Sequence, residues 1–549
     1  MSDAEPPGRW AVGLAPMLAL APLFFGLRRP VMIDDPLFLK AAEQIQRDPM
    51  RPLDVATYWW GSPEPLWLVL KNPPGLAYWL ALVQTLGGRS EIALHVAMLP
   101  FTVAAVLAGI RLARRFAGGS PWSTALWIAS PAFLVSASTL MPDVPSLAFT
   151  LWGVALFVEG VDRDLRARRL WGALLTGIAV VIKYPALVGV LVLATYPLLR
   201  APRSARGRAL ADLWPVAAPL AVWSLQTLLT HERLHLVDSL SGLTEQTLAT
   251  PLRLAHKVIA TATFLVASAV FPAVFGLLAL RRRHGVLLAV ACMLAGGVAG
   301  LVAPSLWPAA SGGTAMAVAL LAGVGLLVAI SVVREVFTAR EQDGDTRFLA
   351  IWAGVSILFV AFGSWTVAVR FLLPALPPLA WLVARALGGR SAHETPTLRR
   401  WLIPTTAAAF ALAVVVLRAD AVPADFQRDV VATVAERARQ EGRHVHFLGA
   451  WSMLYYGERA GMRWLDPGRD PPRAGDLLLG AHYVSNSRIP PGFARRLVKV
   501  AEFESPVPPL GIQTMNPVLG GGFYSSLYGP LPFVVSREPA TGAIVYAID

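Results

Sequence analysis

Charge is what this sequence has least of: Asp, Glu, Lys and Arg make up 15% of its 549 residues, against 55% hydrophobic ones. That balance excludes an ordinary soluble globular domain, in which about a quarter of the residues are charged. One cysteine, Cys292, excludes a disulfide framework and leaves the redox compartment undetermined. No internal repeat of fixed period is visible, which removes the usual mark of a transporter built from two related halves. No small-residue cleavage site follows the first apolar run, so that run reads as a retained signal anchor.

Apolar runs of near membrane-spanning length recur from Trp10 to Leu417, and the mean hydropathy is +0.55. About 20 such residues are needed to cross roughly 30 Å of hydrocarbon. The net charge of +13 is confined largely to short loops between these runs: Arg111, Arg114 and Arg115; Arg163 to Arg169; Arg200 to Arg208; Arg281 to Arg283; Arg334 to Arg347; Arg390 to Arg400. Basic residues at every second loop are the positive-inside pattern, which argues against a nucleic-acid partner.

With those loops cytoplasmic, the spacing predicts an all-α polytopic domain over residues 1–418 with about 13 crossings, N-terminus inside, in a cell inner membrane. A first external loop over about 28–90 is rich in Pro and Trp and suits short helices lying in the interface. The run 170–199 starts and ends at basic loops, so it crosses twice, turning outside at Lys183-Tyr184-Pro185. A second external loop, His231 to Lys257, carries leucines at helical spacing. Residues 419–549 read as a small external α/β domain, with a helix near 425–441 and strands at His444–Leu448, Leu477–Leu479 and Ala543–Ile548.

Few polar residues lie against apolar runs on the external side. Asp34 and Asp35 follow the first helix, where two adjacent carboxylates raise each other's proton affinity and one is poised as a base; an N-cap is the competing reading. Asp143, in Met141-Pro142-Asp143-Val144-Pro145, has the same two readings. Lys183 ends an apolar half-helix, where it either pairs with a carboxylate or phosphate or snorkels to the interface. Arg370 stands against the positive-inside trend and is a candidate anion binder, the alternative being an ordinary headgroup contact. Lys71 is a reserve cation with the same alternative.

Five stretches together resemble the GT-C membrane glycosyltransferases, in the branch of protein O-mannosyltransferases and lipid A aminoarabinose transferases. They are Ile33-Asp34-Asp35-Pro36-Leu37-Phe38, Asn72-Pro73-Pro74-Gly75-Leu76-Ala77-Tyr78-Trp79, the stretch around Asp143, the segment Gly177 to Pro185, and Arg370-Phe371-Leu372-Leu373-Pro374 with Pro377. The likeness spans about residues 10–390. Two positions depart from the family pattern: Asp35 stands where Glu is frequent, and Asn72 where the family has His before Pro-Pro, which puts a histidine-dependent metal site in doubt. No cofactor is assigned, and a divalent metal stays open.

The resemblance implies transfer of a sugar from a polyprenyl-phosphate donor to a lipid, glycan or protein acceptor on the external face, by single displacement with inversion. It implies catalytic roles for Asp34, Asp35 and Asp143, and donor-phosphate binding by Lys183, Arg370 and Lys71. A polytopic transporter or lipid-linked sugar flippase is the alternative, although the ionisable residues gather at external helix ends and not at mid-membrane depth. An anchoring protein is a third reading, resting on the aromatic, glycine-rich loop Gly520 to Pro530, which either grips a partner or packs against the helices.

Overall fold

A computed structural model describes residues 9–119, 121–240, 250–280, 284–308, 310, 312–339, 343–388, 396–482 and 489–549. The basic run Arg281–Arg283, Arg390 and the stretch 241–249 of the second long loop lie outside the described residues. The chain is a largely helical, multi-pass membrane protein with most of its strands toward the C-terminus. Among the described residues, eight helices are long and apolar enough to cross a membrane, or nine if one bent pair counts as a span. Shorter apolar helices, Met17–Gly26, Gly75–Gly87 and Tyr184–Arg200, accompany them. The sequence count of about 13 crossings therefore depends on segments shorter than a full span.

Two of the expected spans are broken and a third runs on well past its expected end. The run expected over about 258–280 is two helices, Pro251–Ala267 and Pro272–Ala279, set at 101°. Val270 at φ 64° and Pro272, which has no N–H to continue the ladder, make the break. The run expected over about 121–139 breaks at Ser130, whose hydroxyl accepts from the Phe133 N–H to start a new helix, Pro131–Ala137. The last run continues as one 46-residue helix, Pro396–Glu441, roughly 70 Å long. It passes unbroken through 418 and 419, where composition suggested a boundary, because composition reports what surrounds a helix and not where its hydrogen bonds end.

The helices Asp143–Asp162 and Arg166–Ile182 pack very closely. A Cβ on Gly153 would sit 2.3 Å from the Thr176 Oγ1, so a small residue is needed for this approach. At the basic-loop end of the bundle, ion pairs join separate helices: Arg115 with Asp162 at 2.6 Å and Asp345 at 2.8 Å, and Arg385 with Asp343 at 2.8 Å. Those arginines thus hold helices together.

At the other end, the first long loop forms helices Asp35–Arg47 and Gly75–Gly87 and a short hairpin, Ala56–Tyr58 with Pro63–Pro65. Beyond the long helix lies a five-stranded sheet ordered Arg463–Trp464, Val445–Leu448, Leu477–His482, Gly542–Ile548, Leu497–Glu504. The first three are parallel and Gly542–Ile548 runs antiparallel to both its neighbours. Three of these strands match the sequence expectation; the two edge strands, Arg463–Trp464 and the largely exposed Leu497–Glu504, lie outside it.

Candidate active site

The loop before the second helix, the start of Asp143–Asp162, the turn of the 166–200 hairpin and the segment after the span Gly344–Gly363 bring four charged residues together. Arg370 Nη2 donates to Asp34 Oδ2 at 2.7 Å, and Arg370 Nε lies 3.7 Å from Asp143 Oδ2. Lys183 Nζ donates to Asp143 Oδ1 and sits 4.3 Å from the centre of the Phe371 ring. Neither aspartate caps a helix: the Asp34 side chain makes no capping bond, and that of Asp143 is taken by Lys183. Lys183 does not snorkel; its side chain is 8% exposed and ion-paired.

Each position follows from local chemistry. Lys183 has extended backbone (φ −156°, ψ 115°) at the end of one helix, and Pro185 prevents the helix from continuing. Gly75, after Pro73-Pro74, lets the helix Gly75–Gly87 rest on that turn: a Cβ there would lie 2.4 Å from the Val181 carbonyl oxygen. Gly75→Ala is therefore expected to push the Val181–Lys183 backbone away, lowering thermal stability by about 1–3 kcal/mol and transfer along with it. Differential scanning with an activity assay checks this, and an unchanged midpoint would contradict the close approach.

Arg370 is carried on a short 3-10 segment, Val369–Ala375, stitched to the C-terminal region. The Val369 N–H donates to the Phe523 carbonyl at 3.0 Å, and the Ser526 N–H to the Val367 carbonyl at 2.7 Å. Trp307 Nε1 also donates to the Ser526 carbonyl, at 2.7 Å. The loop Gly520 to Pro530 thus packs against the helices, and the guanidinium of Arg370 lies 5.8 Å from the Tyr524 ring.

Asp34 and Asp35 differ in surroundings. The Asp34 side chain is 31% exposed, whereas Asp35 is buried and accepts from the backbone N–H groups of Met32 at 3.2 Å and Leu140 at 3.0 Å. Burial pushes the Asp34 carboxyl up, Arg370 opposes this, and its remaining exposure leaves solvent to screen the shift. Burial pushes Asp35 up to about 7 despite Arg29 and its two backbone donors. Because its folded value lies above the ordinary 3.8, Asp35 contributes stability that is complete below that value and lost as pH rises through about 7. The melting temperature of the wild type relative to Asp35→Asn should therefore fall between pH 5 and pH 8; a difference that stays constant would contradict the buried, protonatable Asp35.

Among the described residues, two buried polar atoms in the cluster lack a hydrogen-bond partner, Arg370 Nη1 and Asp143 Oδ2. Both residues line a cavity of about 40 Å³ with Lys183, Ser146, Thr150 and Trp352. Lys71 does not join: among the described residues it makes no ion pair, and the charge that acts on it is that of Asp238. Among the described residues, no group of three or more His, Cys, Asp or Glu could hold a metal ion. The carboxylates here face cations instead, so the donor set does not fit a bound divalent metal.

Sequence reasoning missed a second buried cluster behind this one. Arg29 donates to Asp420, Ser138 and, at 2.8 Å, Tyr524, whose hydroxyl donates to Asp420. Arg29 and Asp420 are almost fully buried. It also missed Lys257, buried with no hydrogen-bond partner on its Nζ among the described residues. An arginine just after an apolar run and an aspartate just past another were the available signals, but each alone looks like an ordinary helix flank.

No family model matches this chain, and no curated protein matches it. Among solved structures it is similar to ArnT from Cupriavidus metallidurans in the apo state, with 14% identity over 97% of this chain and 97% of that one and a TM-score of 0.42. The same protein bound to undecaprenyl phosphate gives 14% identity, 98% of each chain and a TM-score of 0.44. The archaeal oligosaccharyltransferase AglB from Archaeoglobus fulgidus, in complex with an inhibitory peptide and a dolichol-phosphate, gives 11% identity, 83% of this chain, 64% of that one and a TM-score of 0.49. Likenesses this distant assign neither a residue nor a reaction.

Proposed function

We propose that the chain is a GT-C-type membrane glycosyltransferase that moves a sugar from a polyprenyl-phosphate donor to an acceptor on the external face. The observation that carries the reading is the unpaired Arg370 Nη1 over a cavity shared with Lys183, on a guanidinium whose other arm holds the part-exposed Asp34. One cation thus has a free arm for a phosphate while positioning the base. In the proposed step Asp34 takes the acceptor's proton as the acceptor atom bonds to the anomeric carbon. The bond from that carbon to the phosphate oxygen breaks with its electron pair going to the phosphate, and the configuration inverts. Arg370 and Lys183 neutralise the growing phosphate charge, and Asp143 holds Lys183. Asp35 positions the base through the backbone, and Lys71 has no part in the step.

We further place the N-terminus inside and the sheet-bearing region outside, because basic loops resist translocation. A cysteine at the exposed Ser62 should react with an impermeant thiol reagent in intact cells and one at the exposed Ser204 should not, Cys292 being buried. Labelling at Ser204 alone would invert this topology. For the reaction itself, cells lacking the protein should accumulate a polyprenyl-linked sugar and lose one surface glycan modification. An unchanged lipid-linked pool and unchanged glycans would remove the assignment.

A further inference from the structure

A second cavity is far larger than the one beside Arg370. About 1020 Å³ in volume, it lies between the end of the first helix, the start of Glu91–Phe116, the middle of the long helix and the helix Trp451–Arg459. Six arginines line it, Arg28, Arg29, Arg89, Arg418, Arg428 and Arg459, against two carboxylates, Glu91 and Asp425. Most of this charge is already answered. Arg29 pairs with Asp420, Arg89 and Arg459 both reach Glu43, and Arg428 holds Asp425 at 2.8 Å and Glu91 at 3.3 Å.

Arg28 and Arg418 are different: among the described residues neither has a carboxylate partner. Arg418 stacks on Phe25, with its guanidinium 4.6 Å from the ring centre. Phe24 and Phe25, 69% and 60% exposed, also line the cavity where the first helix ends. Arg418 marks the point at which the long helix changes from apolar to polar sequence. The end of the first apolar run and the end of the last thus meet at the mouth, with two unanswered cations beside two exposed aromatic rings. On the side proposed as external these arginines run against the positive-inside trend, so topology does not account for them.

We propose that this cavity is a binding site for a phosphate-bearing lipid headgroup, separate from the Arg370 centre. Arg28 and Arg418 take the phosphate oxygens, for which a guanidinium fork is suited, and Phe24 and Phe25 lie along the first part of the acyl chains. The paired arginines around them keep the site positive without competing for the ligand. The inference does not depend on the transfer reaction, and its test involves no sugar donor.

The test uses the purified full-length protein in neutral detergent, titrated separately with dihexanoyl phosphatidylglycerol, dihexanoyl phosphatidylcholine and inorganic phosphate, with binding read by native mass spectrometry. The expected result is binding of phosphatidylglycerol at least about tenfold tighter than phosphatidylcholine, with inorganic phosphate weaker than phosphatidylglycerol. Arg28→Gln with Arg418→Gln should abolish this preference, and their exposure without ion pairs keeps folding intact. Arg469→Gln with Arg495→Gln removes the same charge from elsewhere on the exposed surface and should leave the preference in place. Phe24→Ala with Phe25→Ala should weaken the phospholipid and not inorganic phosphate. A preference that survives Arg28→Gln with Arg418→Gln, or one that falls equally in the Arg469 and Arg495 variant, would overturn the site. Inorganic phosphate binding as tightly as the phospholipid would overturn its assignment to lipid.

Discussion

Asp34→Asn should lower transfer at least about a hundredfold while expression and membrane insertion persist, the scale on which a positioned base contributes. The amide keeps the shape of the side chain and still accepts from Arg370, which now bonds at 2.7 Å, but it cannot take the acceptor's proton. Asp35→Asn should be milder in turnover, because that carboxylate is buried and spent on the Met32 and Leu140 N–H groups. Turnover in a reconstituted system checks both. Retained activity in Asp34→Asn would remove it as the base, and the reverse ranking would exchange the two roles.

Arg370→Ala should cost roughly a hundred- to a thousandfold, mainly in turnover, because the charge it meets grows as the phosphate leaves. Arg370→Lys should recover only part, since lysine restores the charge but not the fork that serves Asp34 with one nitrogen and leaves Nη1 free. The alanine variant also strips Asp34 of its opposing cation, so the pH above which the remaining activity appears should rise. If Arg370 only touched bulk headgroups, both variants would keep near wild-type kinetics, because such a contact contributes about 1 kcal/mol to general lipid attraction.

Much of this arrangement was legible because the bilayer constrains sequence so strongly. Apolar length and the basic loops located most of the helices, and the few charges left at the other ends picked out Asp34, Asp143, Lys183 and Arg370, which meet in one cluster. What they bind to in the folded chain was not legible. Asp143 looks like a cap from its place before Val144-Pro145, and only the return of the Gly177 to Pro185 segment shows that Lys183 claims it. Lys71 read as a reserve cation because it adjoins Asn72-Pro73-Pro74, whereas in the fold it is partly buried and the charge that acts on it is that of the distant Asp238. The Arg29, Asp420 and Tyr524 cluster joins positions nearly 400 and 500 residues apart, with separations of 391 and 495, which no local pattern encodes. The long helix hid its continuity for a related reason: its sequence turns from apolar to polar after Leu417 while its backbone ladder runs on.

The central claim is that the Asp34–Arg370 pair works on a sugar linked to a polyprenyl phosphate. Its most direct test is a single-turnover measurement with the full-length protein in lipid, a polyprenyl-phosphate donor carrying a labelled sugar, and a membrane extract as the source of acceptor. The account predicts release of the free polyprenyl phosphate together with labelled product of inverted anomeric configuration, and neither with Asp34→Asn. Donor that crosses the bilayer intact with its sugar still attached, or equal release by the wild type and Asp34→Asn, would contradict it.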